Sequence, residues 1–294
     1  MPTTEVAPAP VPKAQSALKM PIVIKIGGSS FSSKIKKVDY SSQIFPLVAR
    51  NIPRGTAAVI VLGGGYKAHE YADKTGLGIR KENQQDAVEG KQAEWATISY
   101  IIDKQMTELR DAMRAEPYRH PVMPLSAASH FKRLGGMTVL MNSELIHSYL
   151  ESGFIPAFHG DGVPDSARKR SILSGDNMVI EILNSLPVGS RGIFCTDVPG
   201  VLKPGALKPD VQPSKSDVIK RLRVDQLSGV KTKRGTQSTT DVTGLMGGKL
   251  AAVHDLRRGR SVQIIGIRDV NGNPIEGELA AAIAGRRVGT LIES

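Results

Sequence analysis

The amino-acid sequence predicts an α/β fold in which a mainly parallel central sheet is sandwiched by helices. Two observations support this prediction. From Pro21 onward, short apolar runs rich in β-branched residues alternate with segments that have the three- and four-residue spacing of amphipathic helices. Several of the apolar runs also end at glycines. Strands that alternate with helices form parallel sheets covered on both faces, and ligands bind such sheets at the carboxyl ends of the strands.

The elements are predicted in a regular order along the chain. Strands are expected at PIVIKI, TAAVIVL, FIPAFH, RGIFCT, RSVQIIGI and VGTLI, with a further apolar piece at HPVMPL. Helices are expected at DYSSQIFPLVARNI, EWATISYIIDKQMTELRDAM, SELIHSYLESG, GDNMVIEILNSL, GGKLAAVHDLRRG and GELAAAIAG. The segment that follows TAAVIVL is long and polar, and it shows no clear helical pattern. Because no internal repeat is visible, residues 21–294 are expected to form one domain.

The composition limits the classes of function. The 294 residues include 39 basic and 28 acidic side chains, and the net charge of +11 favours an anionic partner. Aromatic residues make up 4%, which argues against base stacking on single-stranded nucleic acid, and no helix-turn-helix, zinc-finger or RNA-recognition signature is present. No apolar run approaches the roughly 20 residues of a membrane helix. We therefore expect a phosphorylated small molecule as partner, with no nucleic acid and no membrane.

The N-terminal segment and the cysteine content bear on cellular location. Residues 1–20 are rich in Ala, Pro and Val and lack the continuous apolar core of a secretion signal, so we expect a disordered leader and a cytosolic protein. Cys195 is the single cysteine, and it lies in the apolar stretch GIFCTDV. A disulfide within the chain is therefore impossible, and a buried, inert thiol is expected.

Glycine turns follow several predicted strands, in the stretches KIGGSS, VLGGGYKAH, FHGDGV and CTDVPGV. Because glycine has no β-carbon, the backbone N–H groups of such turns can approach an anion closely. Lysines accompany two of the turns. The stretch GLMGGKL has the wrong glycine spacing for a Walker loop, and GGGYKA fits only a loose form of the dinucleotide-binding motif. The pattern therefore predicts a phosphate-handling site of another kind.

Five ordered motifs resemble the amino acid kinase superfamily, and within it the branch that contains isopentenyl phosphate kinase and fosfomycin kinase. KIGGSSFSSK resembles the opening lysine–glycine loop of that branch, with a second lysine nine residues after the first. GGGYKAH resembles its glycine-rich loop, in which a histidine follows the third glycine by four residues, and His69 holds that position. SGDNMV, TDVPGV and DVTGLMGGKL resemble the acidic segment, the nucleotide loop and the late glycine–lysine loop, and GTLI resembles the closing strand.

The resemblance implies an ATP-dependent kinase with an amino acid kinase-like, three-layer αβα fold. Residues from about 21 to 160 would bind the acceptor, and residues from about 161 to 294 would bind the nucleotide. Magnesium would bridge the ATP phosphates with few direct protein ligands. A homodimer is also expected from the resemblance.

The resemblance further implies roles for individual residues. Lys25 would reach the transferring phosphoryl group, Lys249 would stabilise the nucleotide side, and Asp176 would lie between the two lysines and orient them. Lys34 would touch the terminal phosphate of ATP. The other expected nucleotide contacts are Gly27, Gly28, Ser29, Thr196, Asp197, Gly200, Val201, Thr243 and Gly244. The expected acceptor contacts are Gly64, Gly65, Lys67, His69, Gly160, Asp161 and Gly175.

The chemistry of the acceptor is inferred from His69. A histidine N–H can bind an oxygen of an acceptor phosphate or phosphonate, which is already ionised near neutral pH and needs no general base. Isopentenyl phosphate is the first choice. Fosfomycin or another phosphonate is the second, because GGSSFSSK resembles the fosfomycin kinase loop slightly better and Lys67 adds a charge that suits a highly charged acceptor. A nucleotide-dependent oxyanion storage protein on the same fold, like the molybdenum storage proteins, is a further alternative.

Several of these residues also have plainer interpretations. Lys25 and Lys34 could be surface lysines, and His69 could be a loop histidine that faces water. The basic stretch from Lys203 to Arg234 could be a solvated, mobile loop or part of a nucleotide lid.

The remaining alternatives concern the later motifs. Asp176 could be the N-cap of a helix that starts at Asn177, and Lys249 could be a lysine in the first turn of a helix, where the helix dipole is unfavourable. His159 and Asp161 could be metal ligands, although two residues are too few for a site.

Overall fold

Strands and helices alternate along most of the chain in the structure, a computed structural model that describes residues 20–77, 91–206, 211–229 and 242–294. Within those residues the strands are β1 Ile22–Ile26, β2 Ser32–Ser33, β3 Val38–Asp39, β4 Ala58–Leu62, β5 Val122–Pro124, β6 Phe131–Leu134, β7 Met137–Leu140, β8 Ile155–His159, β9 Gly162–Asp165, β10 Lys169–Ile172, β11 Arg191–Thr196, β12 Arg221–Arg223, β13 Ser261–Gly266 and β14 Thr290–Glu293. The helices are α1 Gly28–Phe31, α2 Ser41–Asn51, α3 Gly65–Thr75, α4 Gln92–Arg114, α5 Ala127–His130, α6 Ser143–Glu151, α7 Gly175–Ser185, α8 Val242–Val253 and α9 Glu278–Ile283.

Eight strands form a central sheet in the order β12-β14-β13-β11-β1-β4-β8-β5. Neighbouring strands are parallel except for β13 and β14. Ile22 of β1 lies opposite Ala58 of β4 and Arg191 of β11, so the carboxyl ends of these three strands meet at one edge. The prediction of a mainly parallel sheet is confirmed.

Helices cover both faces of this sheet. Successive side chains of each central strand point to opposite sides, so each strand contributes apolar residues to both layers of helices. On one face, Val23 and Val59 belong to a buried cluster with the apolar sides of α6, α7 and α8. On the other face, Ile24 and Ile60 belong to a cluster with α2, α4 and α9. The predicted three-layer arrangement is therefore confirmed. Lys25 shares the side of Val23, so its side chain points toward α7.

Earlier and later parts of the chain contribute to opposite sides of the central sheet. β1, β4, β8 and β5 lie within residues 22–159, and β11, β13, β14 and β12 lie within residues 191–293. β1 and β11 are neighbours at the centre of the sheet, so the two sets of strands meet there. The division into an acceptor-binding part and a nucleotide-binding part stays a prediction.

Some elements differ from the sequence prediction. The first part of the polar segment after β4 forms the helix α3, so the stretch GGGYKAH leads directly into a helix. A second sheet, β10-β9-β6-β7, and the hairpin β2–β3 were not predicted, since their strands have only two to four residues. α8 begins at Val242, five residues before the predicted start at Gly247, so the late glycine–lysine motif is helical.

The basic stretch is only partly a loop. Arg221–Arg223 forms β12, which pairs with β14 in the central sheet, so the interpretation as a mobile loop is wrong for these residues. Residues 207–210 and 230–234 of the stretch lie outside the described residues, as do residues 1–19 of the predicted leader. In the described part of the chain, no helix combines the length and the apolar character needed to cross a membrane.

The predicted burial of the cysteine is confirmed. Cys195 lies in the central strand β11 and is fully buried. Burial raises the pKa of its thiol to about 12, so the thiol stays protonated and unreactive at neutral pH.

Candidate active site

Two glycine turns at the carboxyl edge of the sheet pack directly against each other. A β-carbon at Gly28 would lie 2.8 Å from the backbone nitrogen of Gly65, and one at Gly63 would lie 2.5 Å from the nitrogen of Gly28. Larger residues would therefore push the turns apart. The hydroxyl of Ser32 joins them, since it donates to the Gly28 carbonyl at 2.8 Å and accepts from the Tyr66 N–H at 2.9 Å.

The first turn is also held against the neighbouring strand β11. The Gly27 N–H donates to the carbonyl of Cys195 at 3.0 Å, and a β-carbon at Gly27 would lie 2.6 Å from that oxygen. Ser29 follows in α1 and is partly exposed, as is Gly64 of the second turn. The turns thus present backbone and one serine at the sheet edge, with few side chains in the way.

A buried ion pair lies next to these turns. Lys25 Nζ donates to Asp176 Oδ1 at 2.5 Å, and the two residues are 5% and 8% exposed. The interpretation of Lys25 as a surface lysine is therefore wrong. Asp176 lies in the first turn of α7, and Ser174 is the N-cap, since its hydroxyl accepts from the Asp176 N–H at 3.2 Å. The interpretation of Asp176 as the N-cap is therefore also wrong.

Lys249 is a second buried lysine beside this pair. It is 5% exposed and lies well beyond the first turn of α8, so the first-turn interpretation is wrong. Thr243 and Gly244 lie near the start of the same helix, in a part of it where the structure describes the backbone alone. Burial lowers the pKa of Lys25 to about 8; the charge of Asp176 opposes this effect and the charge of Lys249 adds to it.

The same charges keep the carboxylate ionised. Burial alone would raise the pKa of Asp176, but the charges of Lys25 and Lys249 and the hydrogen bonds from Lys25 and Ser174 outweigh burial and hold that pKa below its ordinary value. Two ammonium groups and one carboxylate therefore make a buried, net positive cluster. Such a cluster can stabilise an anion at the sheet edge.

His69 lies in the second turn of α3, so its interpretation as a loop residue is wrong. The residue is exposed to solvent, although protein atoms surround much of its ring. Burial lowers its pKa, the charges of Lys34, Lys25 and Lys249 lower it further, and Asp73 opposes them. The structure therefore brings His69 within electrostatic reach of the buried lysines, and the imidazole is neutral at pH 7.

The other two predicted lysines are exposed and paired. Lys34 Nζ donates to Asp73 Oδ2 at 2.6 Å, and the two side chains are 65% and 63% exposed. Lys67 Nζ donates to Asp39 Oδ2 at 3.2 Å. Both lysines can reorient toward a ligand, because surface ion pairs are weak.

The predicted nucleotide loop begins at the carboxyl end of β11 and is anchored to β14. Thr196 ends β11 and is buried, its hydroxyl accepts from the Val198 N–H at 2.9 Å, and the Asp197 side chain is 21% exposed. Gly200 has a φ of +154°, and a β-carbon there would lie 2.7 Å from the hydroxyl of Thr290. Val201 is buried, and its N–H donates to the same hydroxyl at 2.8 Å. The start of the loop therefore lies at the sheet edge, and its end is fixed to β14.

The remaining predicted acceptor residues, Gly160, Asp161 and Gly175, lie just after the carboxyl end of β8 and at the start of α7. The N–H of Gly160 donates to the carbonyl of Leu62 at 3.2 Å. A β-carbon at Gly175 would lie 3.2 Å from Lys25 Cε, so this glycine leaves room for the lysine. Asp161 is buried, and its Oδ1 accepts from the Ser99 hydroxyl at 2.8 Å.

His159 has a structural partner that the sequence did not reveal. Its Nε2 lies 2.9 Å from Asp103 Oδ1 on α4, and the side chain is buried at the end of β8. The side chain of Asp161, two residues on, is occupied by Ser99 and by the Gly162 N–H at 2.6 Å. No group of three or more His, Cys, Asp or Glu that could hold a metal is found among residues 20–77, 91–206, 211–229 and 242–294.

An apolar cluster lies between α3 and α4, beside His69. Its buried members are Ala68, Ala72, Leu77, Trp95, Ile98 and Ile102, and Tyr71, Ile101 and Ile172 are partly buried against it. The guanidinium of Arg170 lies 5.8 Å from the ring centre of Trp95. A buried apolar cluster therefore lies next to the polar edge of the site.

Arg268, just beyond β13, is a buried residue that sequence reasoning missed. Its exposure is 4%. Its Nε donates to the Ser29 carbonyl at 2.7 Å, and its Nη2 donates to the Ser32 carbonyl at 3.3 Å and approaches Asp197 Oδ2 at 3.5 Å. The only sequence signal is a charged residue directly after an apolar strand, and solvated strand ends share that signal.

Comparisons with known proteins agree with this architecture. A family model described as the amino acid kinase family matches residues 20–266. The chain belongs to the amino acid kinase family. An isopentenyl phosphate kinase of Methanothermobacter thermautotrophicus is 30% identical over 277 residues, which cover 91% of this chain and 98% of that protein. An acetylglutamate kinase of a Geobacillus species is 25% identical over 218 residues, which cover 68% of this chain and 77% of that protein.

A solved structure of an isopentenyl phosphate kinase has the same fold as this chain. Its TM-score is 0.67 at 23% identity, and the match covers 92% of this chain and 99% of that chain. The resemblance predicted from five short motifs is thus confirmed as family membership.

Proposed function

We propose that this kinase transfers the γ-phosphoryl group of ATP to isopentenyl phosphate and forms isopentenyl diphosphate. The observation that carries the proposal is the cluster of Lys25, Asp176, Lys249 and His69 at one edge of the sheet. The cluster occurs in a chain that is 30% identical to an isopentenyl phosphate kinase over 98% of that protein's length. Phosphoryl transfer needs positioned charges more than covalent help from the protein, and this cluster supplies them.

The buried lysines are proposed to stabilise the charge that moves during transfer. An oxygen of the acceptor phosphate bonds to the γ-phosphorus while the bond to the bridging oxygen breaks and ADP leaves. Lys25 would contact the transferring phosphoryl group and Lys249 the nucleotide side. Asp176 would hold Lys25 in place, since its carboxylate is already bonded to Nζ. Because the lysines are held before substrate binds, little reorganisation is needed during the reaction.

His69 is proposed to bind the acceptor phosphate. Its lowered pKa leaves a neutral imidazole at pH 7, and the N–H of a neutral imidazole can donate to a phosphate oxygen. No general base is required, because the acceptor oxygen is already ionised. Gly64, Gly65 and Gly160 would provide the backbone around that phosphate.

The organic group of the acceptor is proposed to rest on the apolar cluster between α3 and α4. Ala68 and Ala72 of α3 pack there, directly beside His69 in sequence. Lys67 remains exposed in a weak pair with Asp39, so it is available to the phosphate of either acceptor and does not distinguish between them. An apolar cluster beside a phosphate-binding histidine favours a short hydrocarbon over a polar organic group.

The nucleotide is proposed to bind mainly the C-terminal part of the domain, with its phosphates at the first glycine turn of the N-terminal part. The loop at Thr196 and Asp197 would line the nucleotide, Gly27, Gly28 and Ser29 would contact its phosphates, and Lys34 would contact the terminal phosphate. Magnesium would bind together with ATP and neutralise charge on its phosphates. A homodimer, expected from the family resemblance, and a cytosolic location, expected from the N-terminal sequence, stay predictions. Light scattering at micromolar concentration measures the oligomeric state.

A coupled assay of ADP release with a panel of acceptors tests the function. Isopentenyl phosphate, dimethylallyl phosphate, fosfomycin, acetylglutamate and molybdate are compared at equal concentration, and ³¹P NMR identifies the product. We expect the highest kcat/KM with isopentenyl phosphate and two coupled phosphorus signals of a diphosphate. Preference for fosfomycin would replace the proposed substrate with a phosphonate. Rapid turnover of acetylglutamate, or binding of molybdate without ADP release, would refute a phosphate acceptor.

A further inference from the structure

The geometry around Arg268 points to a role in the proposed reaction that extends beyond the predicted site residues. We propose that Arg268 is a positioning residue that holds the β1 loop, residues 27–33, and the Asp197 loop in the arrangement that binds the nucleotide phosphates. This inference rests on the proposed function, since it concerns the same nucleotide site.

The first observation is that a buried guanidinium is bonded to the β1 loop from a distant part of the chain. Arg268 Nε and Nη2 donate to the carbonyls of Ser29 and Ser32, which are more than 230 residues away in sequence. Nη1 donates to the carbonyl of Asp269 at 2.9 Å. A lysine could not make the same set of bonds, because a guanidinium presents its donors in a planar fork.

The second observation is how the buried charge of Arg268 is compensated. Its Nη2 forms a long ion pair with Asp197 Oδ2 at 3.5 Å, and the guanidinium carbon lies 4.9 Å from the ring centre of Tyr40. Burial of a charge is costly unless hydrogen bonds and nearby charges compensate it. Asp197, the carbonyls of the β1 loop and the Tyr40 ring together provide that compensation, so the loops and the arginine stabilise each other.

The third observation concerns the direction in which the loop presents its donors. Ser29 lies in the helical turn α1, where carbonyl and N–H groups point in opposite directions along the axis, and Ser32 follows that turn in extended conformation. A cation that fixes the Ser29 carbonyl therefore also fixes the orientation of the peptide groups of α1, and its bond to the Ser32 carbonyl fixes the residue that ends the turn. Asp197 lies in the second loop, so one side chain links two of the loops that are proposed to bind the nucleotide.

The segment that carries Arg268 is itself well fixed. The carboxylate of Asp269 accepts hydrogen bonds from the N–H groups of Asn271 and Asn273 at 2.9 and 2.8 Å. Lys36 of the β2–β3 hairpin donates to the Val270 carbonyl at 3.0 Å. A side chain at Gly272, which has a φ of +94°, would collide with the Tyr40 ring. The arginine is thus held on a rigid support.

Arg191 provides a matched control. Its Nη1 and Nη2 donate to the carbonyls of Ala282 and Ile283 at 3.0 and 2.9 Å, so it also joins two distant segments through backbone oxygens. It begins β11, at the opposite end of the strand from the candidate site. Loss of either arginine should lower the melting temperature, but only Arg268 should affect the nucleotide.

The experiment compares Arg268→Lys and Arg268→Met with Arg191→Lys and Arg191→Met. Calorimetry measures ATP affinity without acceptor, and steady-state kinetics measures kcat and both KM values. We expect Arg268→Met to weaken ATP binding about tenfold or more and to lower kcat by up to about 10²-fold, because small displacements of positioning groups have effects of that size. Arg268→Lys should recover part of the loss, and KM for the acceptor should stay within about twofold in both variants.

A chemical rescue separates positioning from packing. Low millimolar guanidinium should restore part of the ATP affinity of Arg268→Ala and none of the activity lost in His69→Ala. If Arg268→Lys binds ATP like the wild type and shifts only the melting temperature, as Arg191→Lys does, the inference is wrong. Because ATP affinity is measured without acceptor, failure of isopentenyl phosphate as substrate would leave this comparison intact.

Discussion

The candidate site has a buried half and an exposed half, which differ in how their charged side chains are held. The buried charge cluster, Lys25, Asp176 and Lys249, is nearly inaccessible to solvent and is held by a 2.5 Å bond between β1 and α7. The exposed pairs, Lys34–Asp73 and Lys67–Asp39, lie on the protein surface. Buried charges hold a fixed geometry, whereas surface pairs contribute about 0–1 kcal/mol and rearrange easily. Under the proposed function, the buried cluster would serve the chemical step and the exposed pairs would serve ligand capture.

The largest effect is expected at the buried cluster. Lys25→Met keeps most of the side-chain volume and removes the ammonium, so we expect kcat to fall by more than about 10³-fold, beyond the loss of a single hydrogen-bond donor. Steady-state kinetics measures the loss. Asp176→Asn should also lower the free energy of unfolding by about 3–5 kcal/mol, because it leaves buried lysines uncompensated. If Lys25→Met keeps kcat within tenfold, the buried cluster does not serve the chemical step.

The next effect is expected at His69, which links the two halves. His69→Ala removes one donor to the acceptor phosphate, and such losses lower kcat by about 10²–10³-fold. ATP affinity should stay near the wild-type value, and His69→Gln should recover part of the rate through its side-chain N–H. His254→Ala, which removes an exposed histidine beyond α8, is the control and should have no effect. Wild-type turnover by His69→Ala would place the histidine outside the acceptor site.

The pH dependence of activity tests the state of the buried lysine. The pKa of Lys25 is lowered to about 8, so the ammonium is present below that pH and is lost above it. We therefore expect kcat/KM for ATP to fall above pH 8, and kcat to fall only at higher pH, because bound phosphates favour the charged lysine. Lys25→Arg should lose this alkaline decline in its remaining activity, since a guanidinium stays charged. A flat wild-type profile from pH 7 to 9.5 would contradict the lowered pKa.

The smallest effect is expected at the exposed pairs. Lys34→Ala removes one exposed cation, so we expect KM for ATP to rise by less than about tenfold, with a stability change of about 0–1 kcal/mol. Asp73→Asn frees Lys34 from its partner and should leave KM for ATP unchanged or lower. High salt should reduce the difference between wild type and Lys34→Ala, because screening weakens exposed charges first. A kcat loss as large as that of Lys25→Met would erase the distinction between the two halves.

The sequence predicted the layers of the fold because the main strands and helices are long and strongly patterned. The motif resemblance placed Lys25, Asp176 and Lys249 in one site, although Lys25 and Asp176 are 151 residues apart and no local pattern joins them. The second sheet escaped prediction, since its strands are short and their alternation of apolar and polar residues is weak. The start of α3 was missed because glycines and a polar sequence open it, and packing against α4 stabilises it instead.

The contacts that position the site were the least visible from sequence. Arg268 and the pair of His159 with Asp103 depend on which strand ends meet in space, and a lone arginine or histidine after a strand is ambiguous. Lys34 and Lys249 have the same side chain, and only the structure shows that one is exposed and the other buried. Burial determines which ligands each ammonium group can reach, and it is a property of tertiary packing.

The position of β1 in the centre of the sheet has a consequence for how the protein is made. Ile22 pairs on one side with Ala58 and on the other with Arg191, so the second partner leaves the ribosome long after the first. Until then the nascent chain holds a strand with an open edge, and its sequence IVIKI is otherwise apolar and prone to pair with the wrong neighbour. Lys25 is the charged residue that interrupts this run, as gatekeeper residues do in aggregation-prone segments. We therefore expect the lysine proposed to serve phosphoryl transfer also to disfavour wrong strand pairing in the growing chain, before the site exists.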